Sequence, residues 1–433
     1  MKRFYILLFI FFLPFTIKAQ HHQTSLVYTA DIDNFWIAYD RAKTTPDTLM
    51  QREIIQKLYV DKGSAGLHAF MKARDYNAQL WVELINKYPK FWTSIRENTL
   101  QVKIQATAIE ASINRFRKLY PKMRPAKMYF TIGGMRSGGT TTNNMVLVGA
   151  EIATADVRTN AVELSESFKN NFKNQKESNL VGVNVHEYVH TQQKNSGISL
   201  LAGSLREGSA DFISELVTGK KVSSAYLTYG LQHESQLKES FKIDMFGNDI
   251  SNWLYNGTDK KNADLGYFMG YVICKSYYQN QVDKTKAIKD LIELNYQDSL
   301  QVEDFLVKSK YYKEHLDRES LLKKFNSLQP YIVSLSPDID SKTDVDASLT
   351  ELTFNFSQPM GDGKSISYGK GGKTNFPLTG IIGLSEDRKS FTVKLSLEPG
   401  KDYEFLIMGR GFQSLAGYPI KDVTVRFKTK SAK

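Results

Sequence analysis

The sequence predicts an α+β part followed by an all-β sandwich. From about Asp31 to Tyr120, apolar residues recur every three and four positions, which is the period of amphipathic helices. Beyond Pro330 the pattern changes to short alternating stretches such as LTFNF and VTVRFKTK, separated by Gly, Pro, Asp and Ser. About 100 residues of such strands are typical of a β-sandwich.

The chain is long enough for more than one domain, with 433 residues of which 41% are hydrophobic. We predict a signal peptide at 1–19, a first domain at 20–328 and a second at 329–433. Within the first domain, 20–120 is expected to be mainly helical, and 121–328 carries the motifs described below.

The N-terminus has the pattern of a secretory signal peptide. Met1, Lys2 and Arg3 precede an apolar run of 14 residues, and a small-residue boundary follows near Ala19. A bilayer span needs about 20 apolar residues. The sequence therefore predicts export to the periplasm or the exterior of a bacterium, without an integral membrane span.

The net charge argues against one class of partner, and the cysteine content excludes intramolecular disulfide bonds. The formal net charge is +11, and the signal peptide carries three of these charges, so +8 remains after its removal. The excess is spread along the chain without a basic block, which argues against a nucleic-acid partner. Cys274 is the single cysteine, so no intramolecular disulfide is possible, and we expect it to be a small buried residue.

The middle of the chain contains both strand patterns and helical patterns. MYFTIGG and MVLVGAEIA are predicted strands, and the intervening GGMRSGGTTTNN is predicted to be a loop. Helical patterns follow at about Leu180–Gln193, Ser204–Thr218 and Ala263–Gln279, with a further helical stretch to about Leu328.

The first of these helices contains the sequence HEYVH. His186 and His190 are four residues apart and therefore lie on one helix face, where both rings can bind one zinc ion. Glu187 lies beside the metal in this pattern, where a general base can take a proton from water. The alternative is an ordinary amphipathic helix with a polar face.

A third ligand is expected on the next helix. Gln193 and Ser196 exclude the pattern that has glycine and histidine at these positions, but Glu207 follows His190 after 16 residues. Asp211 lies one helical turn beyond Glu207, so one carboxylate can bind zinc while the other orients a ligand histidine. One alternative remains: Ser204 and Glu207 also match a capping box at a helix start, in which case Asp211 is the substitute ligand.

These residues resemble the gluzincin metallopeptidases, in which His-Glu-x-x-His is followed by Glu-x-x-x-Asp. REGSADF, WLYNG and DLGYFMGY, within a region from about Phe35 to Tyr278, are also similar to a group of predicted bacterial zinc-dependent proteases. The resemblance implies a zincin-like fold, bound Zn²⁺ and a peptide or protein substrate. It also implies that the MVLVGAEIA strand is the sheet edge that binds substrate; the alternative is a central strand.

Peptide hydrolysis also needs a hydrogen-bond donor for the developing oxyanion. Tyr267 and Tyr271 share a helical face, and His233 is the other nearby histidine, so these three are the candidates. Each has an alternative role. Gly266 and Gly270 also share a face, which indicates tight helix packing around the tyrosines, and His233 is equally compatible with a structural position.

The C-terminal sequence SPDIDSKTDVDASLTELTFNFSQPM is similar to the start of bacterial Ig-like modules. The resemblance covers about Ile332 to Lys430 and implies an Ig-like β-sandwich that acts as a spacer or docks to a surface or another protein.

Together these features predict an exported zinc peptidase with Glu187 as general base. The alternatives are a catalytically idle binding or adhesion protein, and a zinc amidase that acts on cell-wall material. Every candidate catalytic residue lies between His186 and Tyr271, so we expect the C-terminal domain to be dispensable for zinc binding.

Overall fold

Two parts of different architecture follow each other in the computed structural model. It describes residues 25–431 except 143, 176–179, 196 and 258–261. The predicted signal peptide lies outside the described residues. Within them, no helix is both long and apolar enough to cross a bilayer.

The N-terminal helices form a bundle around an aromatic core. Phe35, Trp36, Tyr59, Trp81 and Trp92 are all buried in it, and their rings pack edge to face or tilted. The helices are α1 (Ala30–Ala42), α2 (Thr48–Ile55), which continues into a π-helical turn (Gln56–Val60), α3 (Ala65–Arg74), α4 (Ala78–Lys87) and α5 (Pro89–Leu119). The predicted helical region is therefore confirmed.

A small mixed sheet lies beside this bundle. Its strands are β1 (Val27–Tyr28), β2 (Lys127–Thr131), β3 (Gly139–Thr141) and β4 (Met145–Gly149), in the spatial order β1-β2-β4-β3. β1, β2 and β4 are parallel, whereas β3 pairs antiparallel with β4.

The position of β4 corrects the expectation that MVLVGAEIA forms the substrate-binding edge. β4 pairs with strands on both sides, so it is central, and the chain turns into the short helix α6 (Ala150–Ala153) directly after Gly149. The edge strands are β1 and β3, and β3 lies in the Gly-, Ser- and Thr-rich stretch predicted to be a loop. Thr140 and Thr141 are β-branched residues that favour strands, and they pair here with the complete strand β4.

The remaining helices build the second half of the first part. They are α7 (Glu166–Asn174), α8 (Leu180–His190), α9 (Leu200–Thr218), α10 (Ala225–Asp244), α11 (Leu265–Asn280), α12 (Lys284–Glu293), α13 (Ser299–Ser309) and α14 (Arg318–Leu328).

Helices α9 and α11 are in very close contact through two glycines. A Cβ atom at Gly208 would lie 2.0 Å from the backbone nitrogen of Tyr271, and one at Gly270 would lie 1.7 Å from the carbonyl oxygen of Ser204. The predicted tight packing of Gly270 is confirmed. Because α9 begins at Leu200 with Ser199 as its N-cap, Ser204 lies inside the helix and the capping-box alternative for Glu207 is wrong.

The C-terminal part consists of two antiparallel sheets around a separate hydrophobic core that includes Phe354, Phe391 and Phe405. The sheet orders are β5-β6-β9-β8 and β11-β10-β7. The strands are β5 (Ile332–Ser336), β6 (Glu351–Phe356), β7 (Ile366–Tyr368), β8 (Leu378–Leu384), β9 (Ser390–Leu395), β10 (Asp402–Ile407) and β11 (Val423–Lys428). The change from helices to strands near Pro330 agrees with the sequence.

Candidate metal centre

Three electron-rich atoms from α8 and α9 converge at one point. The Nε2 atoms of His186 and His190 are 3.0 Å apart. Glu207 Oε2 lies 3.3 Å from His186 Nε2 and 3.1 Å from His190 Nε2. Tetrahedral ligands bound at 2.0–2.1 Å from zinc are separated by about 3.3 Å. The group can therefore hold a metal ion with little rearrangement.

The tautomers of both histidines are determined by acceptors on their other ring nitrogens. His186 Nδ1 donates to Asp211 Oδ1 at 2.8 Å, and His190 Nδ1 donates to Gln193 Oε1 at 2.6 Å. The amide nitrogen of Gln193 is held by the carbonyl oxygen of Arg206 and by Ser209 Oγ, so its oxygen must face His190. Both Nε2 atoms therefore present lone pairs to each other and to a carboxylate.

The electrostatics of this arrangement favour a bound cation. Burial by itself lowers the pKa of His186, but the carboxylates of Asp211 and Glu207 raise it well above its ordinary value. Burial raises the pKa of Glu207, but His190 and His186 hold it well below its ordinary value. The buried carboxylates therefore attract positive charge to the imidazole rings, which a proton or a bound metal ion can supply.

Hydroxyl groups from two tyrosines complete the surroundings of the carboxylates. Tyr226, on α10, donates to Asp211 Oδ2 at 2.8 Å. Tyr255 donates to Glu207 Oε1 at 2.8 Å, and Arg206 donates to the same oxygen at 2.9 Å. Glu207 thus directs one oxygen to the histidines while the other is held in place.

The side chain of Glu187 is half-buried and borders a cleft of about 1010 Å³. Its Oε2 accepts a hydrogen bond of 2.8 Å from Thr141 Oγ1, on the edge strand β3. Gly139 and Thr140 from β3 and Tyr226 from α10 also line the cleft. The cleft therefore runs between the sheet edge and α10 and reaches the glutamate of the HEYVH motif.

Tyr267 is the one sequence-predicted donor that lies beside the histidines. Its ring stacks against that of His186 with a centroid distance of 6.2 Å and meets Tyr255 edge to face at 6.1 Å. Burial, with the nearby carboxylate of Glu207, raises the pKa of Tyr267 far above the ordinary value, so the hydroxyl stays protonated and can donate a hydrogen bond.

The structure does not bring Tyr271 or His233 to the cluster. The Tyr271 hydroxyl donates to Glu215 Oε2 and accepts from Lys275 Nζ, both at 2.8 Å, two helical turns along α9 from Glu207. His233 lies at a kink in α10, where its Nδ1 contacts the carbonyl oxygen of Tyr229 and its ring stacks on that tyrosine at 3.9 Å.

The residues that contact the site but were not among the sequence candidates include Tyr226, Arg206, Tyr255, Thr141 and Gln193. Tyr255 reaches Glu207 across 48 residues of sequence, and Thr141 reaches Glu187 across 46, so no local pattern reveals either contact. Gln193 is different, because it follows His190 by only three residues, in the turn directly after α8, and a contact this local can be anticipated from sequence.

Comparisons with known proteins leave the family undetermined. No family model matches the chain, and no curated protein matches it. Among solved structures, CopC from Methylosinus trichosporium OB3b is 16% identical and covers 24% of this chain and 97% of its own, with a TM-score of 0.20. Domains 1–6 of the surface layer protein SbsC are 13% identical over 93% of this chain and 42% of their own, with a TM-score of 0.18. Similarities this weak carry no argument about fold or function.

Proposed function

We propose that this protein is an exported zinc-dependent peptidase of gluzincin type. The observation that carries the proposal is the triangle of His186 Nε2, His190 Nε2 and Glu207 Oε2, whose sides of 3.0 to 3.3 Å match the edges of a tetrahedral zinc site. Two imidazoles and one carboxylate are a typical catalytic zinc set, since the fourth position stays open.

Zinc held by these residues would supply a Lewis acid that polarises the scissile carbonyl group and acidifies water. Glu187 is the proposed general base, because it follows the first ligand directly and its carboxylate opens onto the cleft. Thr141 holds that carboxylate in one orientation. Tyr267, whose ring stacks on that of His186, is the proposed donor to the oxyanion.

The edge strand β3 supports a peptide as substrate. It is the last strand of its sheet, and Gly139 and Thr140 line the cleft beside Glu187. An extended peptide can add to such an edge through main-chain hydrogen bonds. We propose an Ig-like module for the C-terminal sheets, with a role in docking to a surface or a large substrate.

The test combines metal analysis with hydrolysis of a mixed-peptide library by the purified mature protein. His186→Ala, His190→Ala and Glu207→Ala are expected to lose stoichiometric zinc. Glu187→Gln is expected to keep zinc and lose turnover by at least about 100-fold, because it removes the base but no ligand. Retention of full zinc by Glu207→Ala would point to Asp211 as the substitute ligand.

Two other outcomes would replace the proposed activity. If the wild-type protein binds zinc but cleaves neither peptides nor muropeptides, the site is catalytically idle and the protein is a binding protein. If it cleaves muropeptides and no library peptide, it is a cell-wall amidase.

A further inference from the structure

We propose that a turn of the C-terminal part helps to position Tyr255 at the proposed metal centre and, through it, the carboxylate of Glu207. The inference rests on the proposed zinc site but not on peptide hydrolysis. Its elements are residues 249–257, here called the tyrosine arm, and the turn of the C-terminal part formed by residues 413–419.

The tyrosine arm and the 413–419 turn are joined by side-chain hydrogen bonds across the two parts of the chain. Asn252 Nδ2 donates to the carbonyl oxygen of Gly417 at 2.6 Å, and Gln413 Nε2 donates to Ser251 Oγ at 2.8 Å. The turn is itself closed by a bridge between Gln413 and Pro419. A defined loop of the C-terminal part therefore holds residues 251 and 252 of the arm.

Gly417 is suited to this contact in two ways. Its φ of +89° is a conformation that residues with a side chain rarely adopt. A Cβ atom at this position would also lie 2.8 Å from both side-chain polar atoms of Asn252. Any other residue would strain the turn and displace the Asn252 side chain that makes the contact.

The other end of the arm is fixed within the first part. The backbone nitrogen of Asn256 donates to Asp264 Oδ1 at 3.2 Å, and the backbone nitrogen of Asp264 donates to Asn256 Oδ1 at 2.7 Å. Tyr255 lies between the two anchors with a φ of +53°, so its direction depends on how both neighbours are held.

Two sets of contacts hold the arm next to Tyr255. Trp253 and Leu254 are buried in the core of the first part, whereas Ser251 and Asn252 are bound by the 413–419 turn. The Tyr255 side chain is 63% exposed, its ring meets Tyr267, and its hydroxyl binds the buried carboxylate of Glu207 at 2.8 Å. The orientation of this exposed side chain therefore depends on the backbone of the arm, to which the 413–419 turn contributes the contacts at residues 251 and 252.

The first test measures zinc affinity by competition with a chelator. Gly417→Ala is expected to weaken zinc binding about 10-fold, the lower end of what loss of a hydrogen-bond partner of a metal ligand costs. Gly372→Ala is the matched control, because Gly372 also has a positive φ in the C-terminal part but nothing lies near its missing Cβ. It should bind zinc within 2-fold of wild type.

A double-mutant cycle separates positioning from general damage. Tyr255→Phe removes the hydroxyl, so adding Gly417→Ala should cost no further zinc affinity if the turn acts through Tyr255. Hydrogen exchange of residues 249–257 should rise in Gly417→Ala and stay unchanged in Gly372→Ala. Gln413→Ala, which removes one contact without backbone strain, should show the same changes to a smaller degree.

Additive effects in the cycle, or unchanged exchange in the arm of both Gly417→Ala and Gln413→Ala, would overturn the inference. These readouts need no substrate, so they remain decisive if the proposed peptidase activity fails. Conversely, hydrolysis that depends on Glu187 together with an additive cycle would support the peptidase and refute the positioning role.

Discussion

At the scale of single residues, the proposed metal centre depends on side chains outside the group of three ligands. Gln193 and Asp211 hold the Nδ1 atoms of the two histidines, and Tyr255 holds the far oxygen of Glu207. Each fixes an orientation that would otherwise cost side-chain entropy when the metal binds. Removal of any of these side chains should therefore weaken metal binding without removing a ligand.

Gln193→Ala is expected to lower zinc affinity by 10- to 100-fold, because His190 loses the acceptor that fixes its tautomer. Gln192→Ala is the matched control. Its side chain is equally buried but binds the backbone of Arg124 instead of a ligand. Equal loss of zinc affinity in both variants, measured by chelator competition, would show that only local folding matters.

Thr141→Val should lower kcat about 10-fold with zinc content unchanged, since the Glu187 side chain remains but loses the hydroxyl that orients it. Thr142→Val is its control, because the Thr142 hydroxyl contacts Met145 and not the glutamate. Initial rates on a peptide substrate check this expectation. An unchanged kcat in Thr141→Val would mean that Glu187 is positioned by other contacts.

At the scale of elements, the site depends on how closely two helices approach. Glu207 and Asp211 flank Gly208 on α9, and Gly208 lies directly against the backbone of α11 at Gly270 and Tyr271. This contact therefore fixes how closely the carboxylates of Glu207 and Asp211 approach the histidines of α8.

Gly208→Ala should lower the free energy of unfolding by about 3 kcal/mol, because the added methyl group meets backbone atoms that cannot move aside. It should also weaken zinc binding. Gly203→Ala, on the same helix, would meet only the tip of the Leu254 side chain and should stay within about 1 kcal/mol of wild type. Urea unfolding of the zinc-free proteins gives both values; similar losses in the two variants would contradict the close-contact explanation.

A buried carboxyl group, which binds the loop before β3, should make the stability of the protein depend on pH. Glu151, on α6, is fully buried and accepts from the backbone nitrogens of Gly133 and Met135 at 2.7 and 3.2 Å. Burial raises its pKa from 4.5 to about 7. The folded protein therefore binds this proton more tightly than the unfolded chain, and its contribution to stability is lost as pH rises from about 4.5 to about 7.

The expected loss for Glu151 over that pH range is about 3 kcal/mol, and Glu151→Gln should abolish it. The difference between wild type and variant, measured by urea unfolding at pH 4.5 and pH 8 with chelator present, isolates this group from other titrating residues. Parallel pH profiles for the two proteins would mean that Glu151 ionises normally in the fold.

At the scale of the whole molecule, zinc should act as a stabilising ligand. A ligand that binds only the folded state contributes about 4 kcal/mol when its free concentration is 1,000 times its Kd. We therefore expect zinc to raise the Tm of the wild-type protein and EDTA to reverse the increase, whereas His186→Ala should respond to neither. Calorimetric scans at fixed free zinc check this; an equal response in His186→Ala would place the bound metal elsewhere.

The contacts between the two parts of the chain also alter an expectation from sequence. The position of all candidates between His186 and Tyr271 predicts that the C-terminal part is dispensable for zinc binding. The hydrogen bonds from Gln413 and Gly417 to the tyrosine arm support the opposite expectation.

The sequence by itself determined the features that arise from neighbouring residues. The pairing of His186 and His190, the role of Asp211 one turn after Glu207, and the change from helices to strands near Pro330 all follow from helix and strand periodicity, which acts over a few residues. Gln193 belongs to the same class, although the sequence analysis used it only to exclude a motif.

Only the tertiary structure decided which distant side chains reach the site. Tyr267 packs against His186, whereas Tyr271, one turn later, binds Glu215. Periodicity places both tyrosines on one face of a helix, but which residues of the neighbouring helices each one contacts is decided by the packing of those helices. Thr141 reaches Glu187 because it lies on β3, which is an edge strand through its pairing with β4. Tyr255 reaches Glu207 from a left-handed backbone conformation between two anchored segments. Such contacts join residues tens of positions apart, and their geometry is set by packing of the whole chain.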